Sequence, residues 1–279
     1  MAKTRNPAVA GSFYPADKNK LKEMLKSMFD NANYLGIEDI KGIIAPHAGY
    51  FYSGNTAARA YKQLEKSDYD TVVVIGPSHH TFFDGFSVGD FDFFKTPLGE
   101  LPVDKDFITA MKDFAKYDIT FDIPHMQEHS VEVQLPYLQY ILRNDFKIVP
   151  IIMGRQVQDN IYNLAMNLFE VGKDKNILIV SSSDLYHGYD YEECVKLDKE
   201  FTDLLLTMET DSISRYVEDK EFSQTPVACG PGPILSNMIT CKMSGYNKIK
   251  LMDLTNSVDA TKQNTGGYVV GYSSFIIFR

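Results

Sequence analysis

The sequence contains no tryptophan, and only three of its 279 residues are cysteine: Cys194, Cys229 and Cys241. They form no CxxC pair and no even-numbered set. That argues against a disulfide framework and fits a reducing compartment, where a lone thiol more often binds metal or reacts than bridges. Runs of positive charge are also missing, with 28 lysines and arginines set against 37 aspartates and glutamates for a net charge of −9. Nucleic acid and anionic membranes both need clustered cations, so neither is an expected partner. No apolar run approaches the roughly 20 residues that span a bilayer, and the first residues, MAKTRNPAVAGSFYP, hold no apolar signal core. The expected location is cytoplasmic.

Hydrophobic residues make up 44% and charged residues 23%, an ordinary balance for a globular chain of a length that can bury its own core. Strand-like and helix-like segments interleave from start to end, with no internal repeat, low-complexity tract or linker. This pattern predicts an α/β fold, with residues 1–279 forming one αβα sandwich around a mixed, largely parallel sheet.

Along the chain, Asn6–Pro15 reads as an extended segment packed on the body, and Asp17 as the cap of a helix through Leu21, Leu25 and Met28. Ser53 or Asn55 is placed to cap a helix through Ala57 and Leu64. Phe82–Pro97 suggests a hairpin of Ser87–Val88 with Phe91–Phe94. Asp104 caps a helix over Lys105–Phe114, and Ser130 can cap one carrying Val131, Leu135 and Leu138, with Pro136 shortening or kinking its start. Lys147–Met153 is a strand, followed by a helix from Asp159 to Phe169. Helices are then expected at about Glu192–Met208, at Ser212–Tyr216, and from a Gly/Pro-rich loop at Thr225–Ile234 through Met243. Ile249–Leu254 and Gly267–Phe278 alternate like antiparallel strands.

Chemistry concentrates where apolar strands stop. Thr71 to Ile75 is entirely β-branched and breaks at Gly76-Pro77 into Ser78, His79 and His80. Ile43-Ile44 runs through Pro46 into His47 and Gly49, and Ile177–Val180 runs into Ser181–Ser183, Asp184 and His187. In open α/β sheets ligands bind beyond the carboxyl ends of the strands, so these endings are expected to share one site. Glu128 and His129, in a polar loop, and Cys229, in a loop opening a helix, join the inventory. Neutral imidazoles with a thiolate or carboxylate suit iron, zinc or copper. Cys229 could instead be a nucleophile, with a histidine base and Asp184 as orienter, and a thiolate at a helix N-terminus has a lowered pKa in either case. Asp184 and Glu128 can orient neighbouring histidines. Cys194 and Cys241 sit inside apolar helical patterns and read as core, and His125, beside Pro124, as solvated.

Five ordered motifs, APHAGY (Ala45–Tyr50), GPSHH (Gly76–His80), EHSVEVQLPY (Glu128–Tyr137), SSDLYH (Ser182–His187) and ACG (Ala228–Gly230), with an early GSFYP (Gly11–Pro15), resemble the signatures of the Memo family. Its microbial members are named AmmeMemoRadiSam system protein B. The resemblance implies a fold similar to the class III extradiol dioxygenases, whose iron sits on two histidines and a carboxylate. It makes His47 and His79 metal ligands, with Cys229 where those enzymes carry glutamate. It matches His187 to their acid–base histidine, with Asp184 beside it and His129 as a further pocket histidine. The implied cofactor is a divalent transition metal, iron first, with copper or zinc as alternatives. A radical SAM system protein is the partner suggested by the family name. Eukaryotic members are described as adaptors for a phosphotyrosine peptide, but Pro231-Gly232 stands where animal members carry Arg-His.

Three functions follow. The first is a mononuclear metal protein with a dioxygenase-like pocket and a redox reaction still to be identified. The second is a binding module for a peptide or small anionic ligand, contacted through the loops after His47 and His80 with Tyr50, Tyr52 and Arg59 nearby. The third is a Cys-His-Asp hydrolase.

Overall fold

Each β-branched run ending in glycine, proline or serine becomes a strand buried on both faces, and each amphipathic segment becomes a helix laid over it. In this computed structural model residues 2–115, 117–142, 145–225, 227–263 and 267–279 are described, so Pro226 of the Gly/Pro-rich stretch lies outside them. The chain begins with β1 (Thr4–Arg5), α1 (Lys18–Asp30), β2 (Ile40–Ala45), α2 (Tyr50–Tyr61), β3 (Thr71–Pro77), β4 (Phe86–Ser87), β5 (Phe93–Thr96) and β6 (Gly99–Pro102). It continues with α3 (Lys105–Phe114), α4 (Ile123–Met126), α5 (Leu135–Ile141), β7 (Lys147–Met153), α6 (Gln158–Gly172), β8 (Ile177–Ser182) and β9 (His187–Gly188). It closes with α7 (Tyr191–Leu205), α8 (Thr210–Phe222), α9 (Pro231–Met243), β10 (Lys248–Asn256), α10 (Ser257–Thr261) and β11 (Val269–Phe278).

The main sheet runs β10-β11-β2-β8-β3-β7-β4, with β9 paired to β11. Its centre, β2, β8, β3 and β7, is parallel, and β11, β10 and β4 join antiparallel. Helices α3, α6, α8 and α9 cover one face and α1, α2, α5 and α10 the other, which is the mixed αβα sandwich expected from the sequence. At one edge, β10 carries Lys248 and Lys250 and a register shift between Leu251 and Asp253.

The N-terminal segment is held by a buried ion pair. Arg5 and Glu132 are both almost wholly inaccessible, and they pair directly. Arg5 also donates to the carbonyls of His125 (3.0 Å) and Glu128 (2.5 Å), while Glu132 accepts from Ala8 N, Val9 N and the Tyr14 hydroxyl. Burying two charges is tolerable only when such bonds replace water, and removing one partner of a pair of this kind costs about 3–5 kcal/mol.

Several local expectations are corrected. Helix α2 starts at Tyr50 rather than behind a Ser53 or Asn55 cap, because Tyr50 N finds the Phe13 carbonyl at 2.8 Å. Ser130 caps nothing. Its hydroxyl donates to Pro77 O across Gly76, where any Cβ would lie 2.3 Å from Ser130 Oγ. The hairpin is β5–β6, closed around Pro97-Leu98, and β4 pairs with β7 instead. Helix α8 runs 13 residues, well past Ser212–Tyr216, because only Ile213 and Val217 on it are buried and the apolar signal is thin. The Asp17 and Asp104 caps are as expected.

His125 is buried, not solvated: its ring lies against Phe91 and Phe94, and Nε2 approaches Ser87 O at 3.2 Å. Burial, aided by the Arg5 charge, pushes its pKa from 6.5 down to about 3. Between those values the unfolded chain holds the proton and the folded one does not, so stability must fall as pH drops through the window. At pH 5 the loss from this residue is about 2 kcal/mol. Urea unfolding of His125→Gln should therefore show a flatter pH dependence between pH 6.5 and 4 than the parent, and parallel curves would contradict this origin.

Candidate functional site

Three parallel strands deliver the side chains and one helix supplies the sulfur. His47 follows β2, His79 follows β3, Asp184 and His187 follow β8, and Cys229 lies two residues before α9. Gly230 lets that helix approach, since a Cβ there would sit 2.8 Å from Ser182 O. The Cys229 sulfur lies 3.2 Å from His47 Nε2 and accepts the Asp184 amide at 3.3 Å. One ligand atom each from His47, His79 and Cys229 falls within 4.8 Å of the other two, and the same holds for His79, Glu128 and His129. The ring centroids of His79 and His129 are 4.7 Å apart and stacked, and each is edge-on to His47 at 5.1 and 5.3 Å.

Hydrogen bonds behind the rings fix their tautomers. Ser182 Oγ donates its single hydrogen to Ser130 O at 2.6 Å, so at 2.9 Å it must accept from His47 Nδ1. The lone pair of His47 is thereby left on Nε2, facing the sulfur. Gln134 bonds both Pro46 O and Ser182 Oγ, and is itself tied to the Tyr61 hydroxyl. Glu128 accepts His79 Nδ1 at 2.9 Å and the backbone amides of His79, His129 and Ser130. Burial would raise the Glu128 pKa, but the His79 and Ser130 bonds hold it well below the usual carboxylate range. His79 therefore also presents Nε2.

The remaining candidates divide. Asp184, buried and with its pKa raised by burial, accepts the amides of His47 and Ala48 and bonds no imidazole among the described residues, so it orients a loop rather than a ring. His187 opens onto the cavity, with Nδ1 donating to Leu185 O at 2.9 Å. His129 lies in the same wall under Phe13 (centroids 4.8 Å apart), and burial pushes its pKa down to about 4. His80 is exposed at the rim. Tyr50 is buried, Arg59 pairs with Asp253 away from the cavity, and only Tyr52 of that trio lines it. The Cys229 thiol is not activated as its helix position suggested: burial, reinforced by the Asp184 carboxylate, pushes its pKa up. The Arg5, Ser182 and Gln134 supports were missed. Only their contact across the fold reveals their role, although Gln134 and Ser182 each lay inside a motif already noted.

A family model described as Memo-like protein matches residues 5–276. The chain belongs to the Memo family. It is 37% identical over 278 residues to a MEMO1 family protein of Archaeoglobus fulgidus, covering 99% of both chains. It is 34% identical over 276 residues to one of Methanococcoides burtonii, covering 98% of this chain and 99% of that one. Among solved structures, an uncharacterized protein of Escherichia coli, JW3007, is similar with a TM-score of 0.54 at 12% identity, over 85% of this chain and 99% of that one. That likeness concerns the fold alone. Among the described residues of this family member, no helix is long and apolar enough to cross a membrane.

If Glu128 sets the His79 tautomer, Glu128→Gln should remove the charge that favours Nδ1–H. Nitrogen NMR of the ring should then show mixed tautomers. An unchanged ring spectrum would remove Glu128 from that role.

Proposed function

We propose that the cavity is a mononuclear metal centre of dioxygenase-like type, in which His47 Nε2, His79 Nε2 and Cys229 Sγ hold a divalent transition metal. Iron is the first candidate, copper or zinc the alternatives. One observation carries the reading. Two imidazoles have Nδ1 committed to acceptors, the Cys229 sulfur lies 3.2 Å from His47 Nε2, and one ligand nitrogen of His79 falls within 4.8 Å of both. Two neutral nitrogens and a thiolate form a donor set such metals accept, and the acceptors behind the rings are the usual support of a metal-bound histidine. A bound ion would supply Lewis acidity and, if iron or copper, one-electron chemistry.

The chain's own residues do the rest. His187, with Nδ1–H anchored on Leu185 O, presents Nε2 to the cavity as a proton acceptor and, once protonated, a donor. His129, with its depressed pKa, stays neutral near pH 7 and hydrogen-bonds rather than carrying charge. Asp184 keeps the His47 loop and the sulfur in register through its carboxylate and its amide. The hydrolase reading lacks support, since Asp184 orients no histidine ring and the thiol is not acidified. The non-enzymatic binding reading predicts that ligand affinity survives chelation and His47→Ala.

Anaerobic titration with ferrous ion, followed by elemental analysis, should give about one equivalent per chain. His79→Ala and Cys229→Ser should each weaken binding by well over the tenfold expected for losing an outer support. Equal, negligible uptake by the parent and His79→Ala would end the proposal.

A further inference from the structure

Asp184 bonds no imidazole among the described residues, which leaves His187 without a carboxylate of its own. A second buried acid stands behind it, outside the cavity. Asp198, on α7, is 3% exposed, and among the described residues no lysine, arginine or histidine pairs with its carboxylate. Its Oδ1 accepts the Tyr186 amide at 3.0 Å and its Oδ2 the Cys194 thiol at 3.4 Å. Gly271 of β11 makes room for it, since any Cβ there would overlap Oδ2. Burial pushes the Asp198 pKa up to about 6, so the group is a carboxylate in neutral and mildly basic solution. A buried anion depends on the few donors it has, and of these two the amide is much the stronger.

The Tyr186 amide is one half of a peptide unit whose other half is the Leu185 carbonyl, and that carbonyl accepts His187 Nδ1 at 2.9 Å. A trans peptide is planar and points its N–H and C=O in opposite directions, so the acid sits on one side of the unit and the imidazole on the other. Rotating the unit would break both bonds at once. Its neighbours leave it little room: Leu185 N donates to Gly271 O at 2.8 Å, Gly271 N to Tyr186 O at 2.9 Å, and the Tyr186 hydroxyl to Glu193 Oε2 at 2.8 Å. Beyond it, His187 is paired with Val270 across β9 and β11. An amide whose hydrogen goes to a carboxylate carries a more negative carbonyl oxygen, strengthening the next bond by roughly 10–30%. The Leu185 carbonyl then favours hydrogen on Nδ1 and keeps the His187 lone pair on Nε2.

We propose that Asp198 is the positioning residue for His187, acting through the Leu185–Tyr186 peptide to hold the imidazole in place and in its Nδ1–H form. It does across one peptide unit what the sequence led us to expect of Asp184 directly. The inference rests on the preceding reading in taking His187 as the proton carrier, but it needs neither the metal nor a known substrate.

The test reads the ring nitrogens of His187 by NMR at about pH 8, in the nitrogen-labelled full chain after chelation, with the signals assigned by their loss in His187→Gln. In the parent, Nδ1–H should be the main neutral tautomer and the Tyr186 amide should exchange slowly. Asp198→Asn keeps an oxygen for that amide but no charge. It should leave the exchange slow and lower the ratio of Nδ1–H to Nε2–H about threefold, the effect of withdrawing one charge-assisted bond from the chain. Asp198→Ala should lose both the slow exchange and the preference. A role confined to holding the fold would instead let asparagine restore everything. The proposal is overturned by a parent ring that is mainly Nε2–H, a measurement that needs no variant to fold, or by an unchanged ratio in Asp198→Asn or Asp198→Ala. Ferrous-ion titration of the same proteins decides the metal reading separately, because none of these substitutions alters His47, His79 or Cys229. Failed uptake with the expected tautomers sinks that reading alone, and full uptake with unchanged tautomers sinks this one alone.

Discussion

A single carboxylate organises the ligand end of the sheet. Glu128 is 2% exposed and ionised, and among the described residues no lysine or arginine pairs with its carboxylate; it is compensated by the His79 ring, by the His129 ring at 3.3 Å and by the amides of His79, His129 and Ser130. Those bonds must replace the water the carboxylate gave up, so the loop they come from has little freedom to adopt another shape. Its backbone carbonyl is held by Arg5, whose own charge is met by Glu132, and Glu132 in turn binds the N-terminal segment. Two adjacent buried acids thus connect the first residues of the chain to the histidines at the strand ends. Phe13 can then form part of the cavity wall because the segment carrying it is tied down at Arg5, Ala8, Val9 and Tyr14.

The same economy governs the imidazoles. A histidine can turn either nitrogen outward, and neither orientation follows from its position in the chain. Here the choice is made by groups with only one option: Ser182, whose hydrogen is already committed to Ser130 O, and Glu128, which can only accept. Low dielectric strengthens such choices and keeps His47 neutral, so a base rather than a charged ring faces the sulfur. The thiol next to it obeys the same physics in the opposite direction. Its helix is expected to favour the anion, but burial and Asp184 outweigh that.

Much of this was legible in the sequence, for identifiable reasons. Continuous β-branched runs gave the parallel core, and their endings gave His47, His79 and Asp184, because the side-chain period and the direction of a parallel sheet are local properties of the chain. Asp17 and Asp104 were readable as caps because a cap acts within three residues. His125 was not, since its burial comes from Phe91 and Phe94, thirty or so residues upstream and on another element. Arg5 with Glu132, and Gln134 with Ser182, are contacts between distant segments of ordinary composition. The family resemblance named the candidate residues; it did not reveal what holds them.

The outer strand β10 has a consequence for how molecules of this protein meet. Its free side is a row of unsatisfied amides and carbonyls, the usual invitation for one sheet to grow into the next. The slip at Leu251 and Asp253 throws that row out of line, and the ammonium groups of Lys248 and Lys250 would confront a copy of themselves in any in-register parallel docking. The border is therefore poorly suited to templating fibrils, and a crowded solution has one fewer route to aggregation.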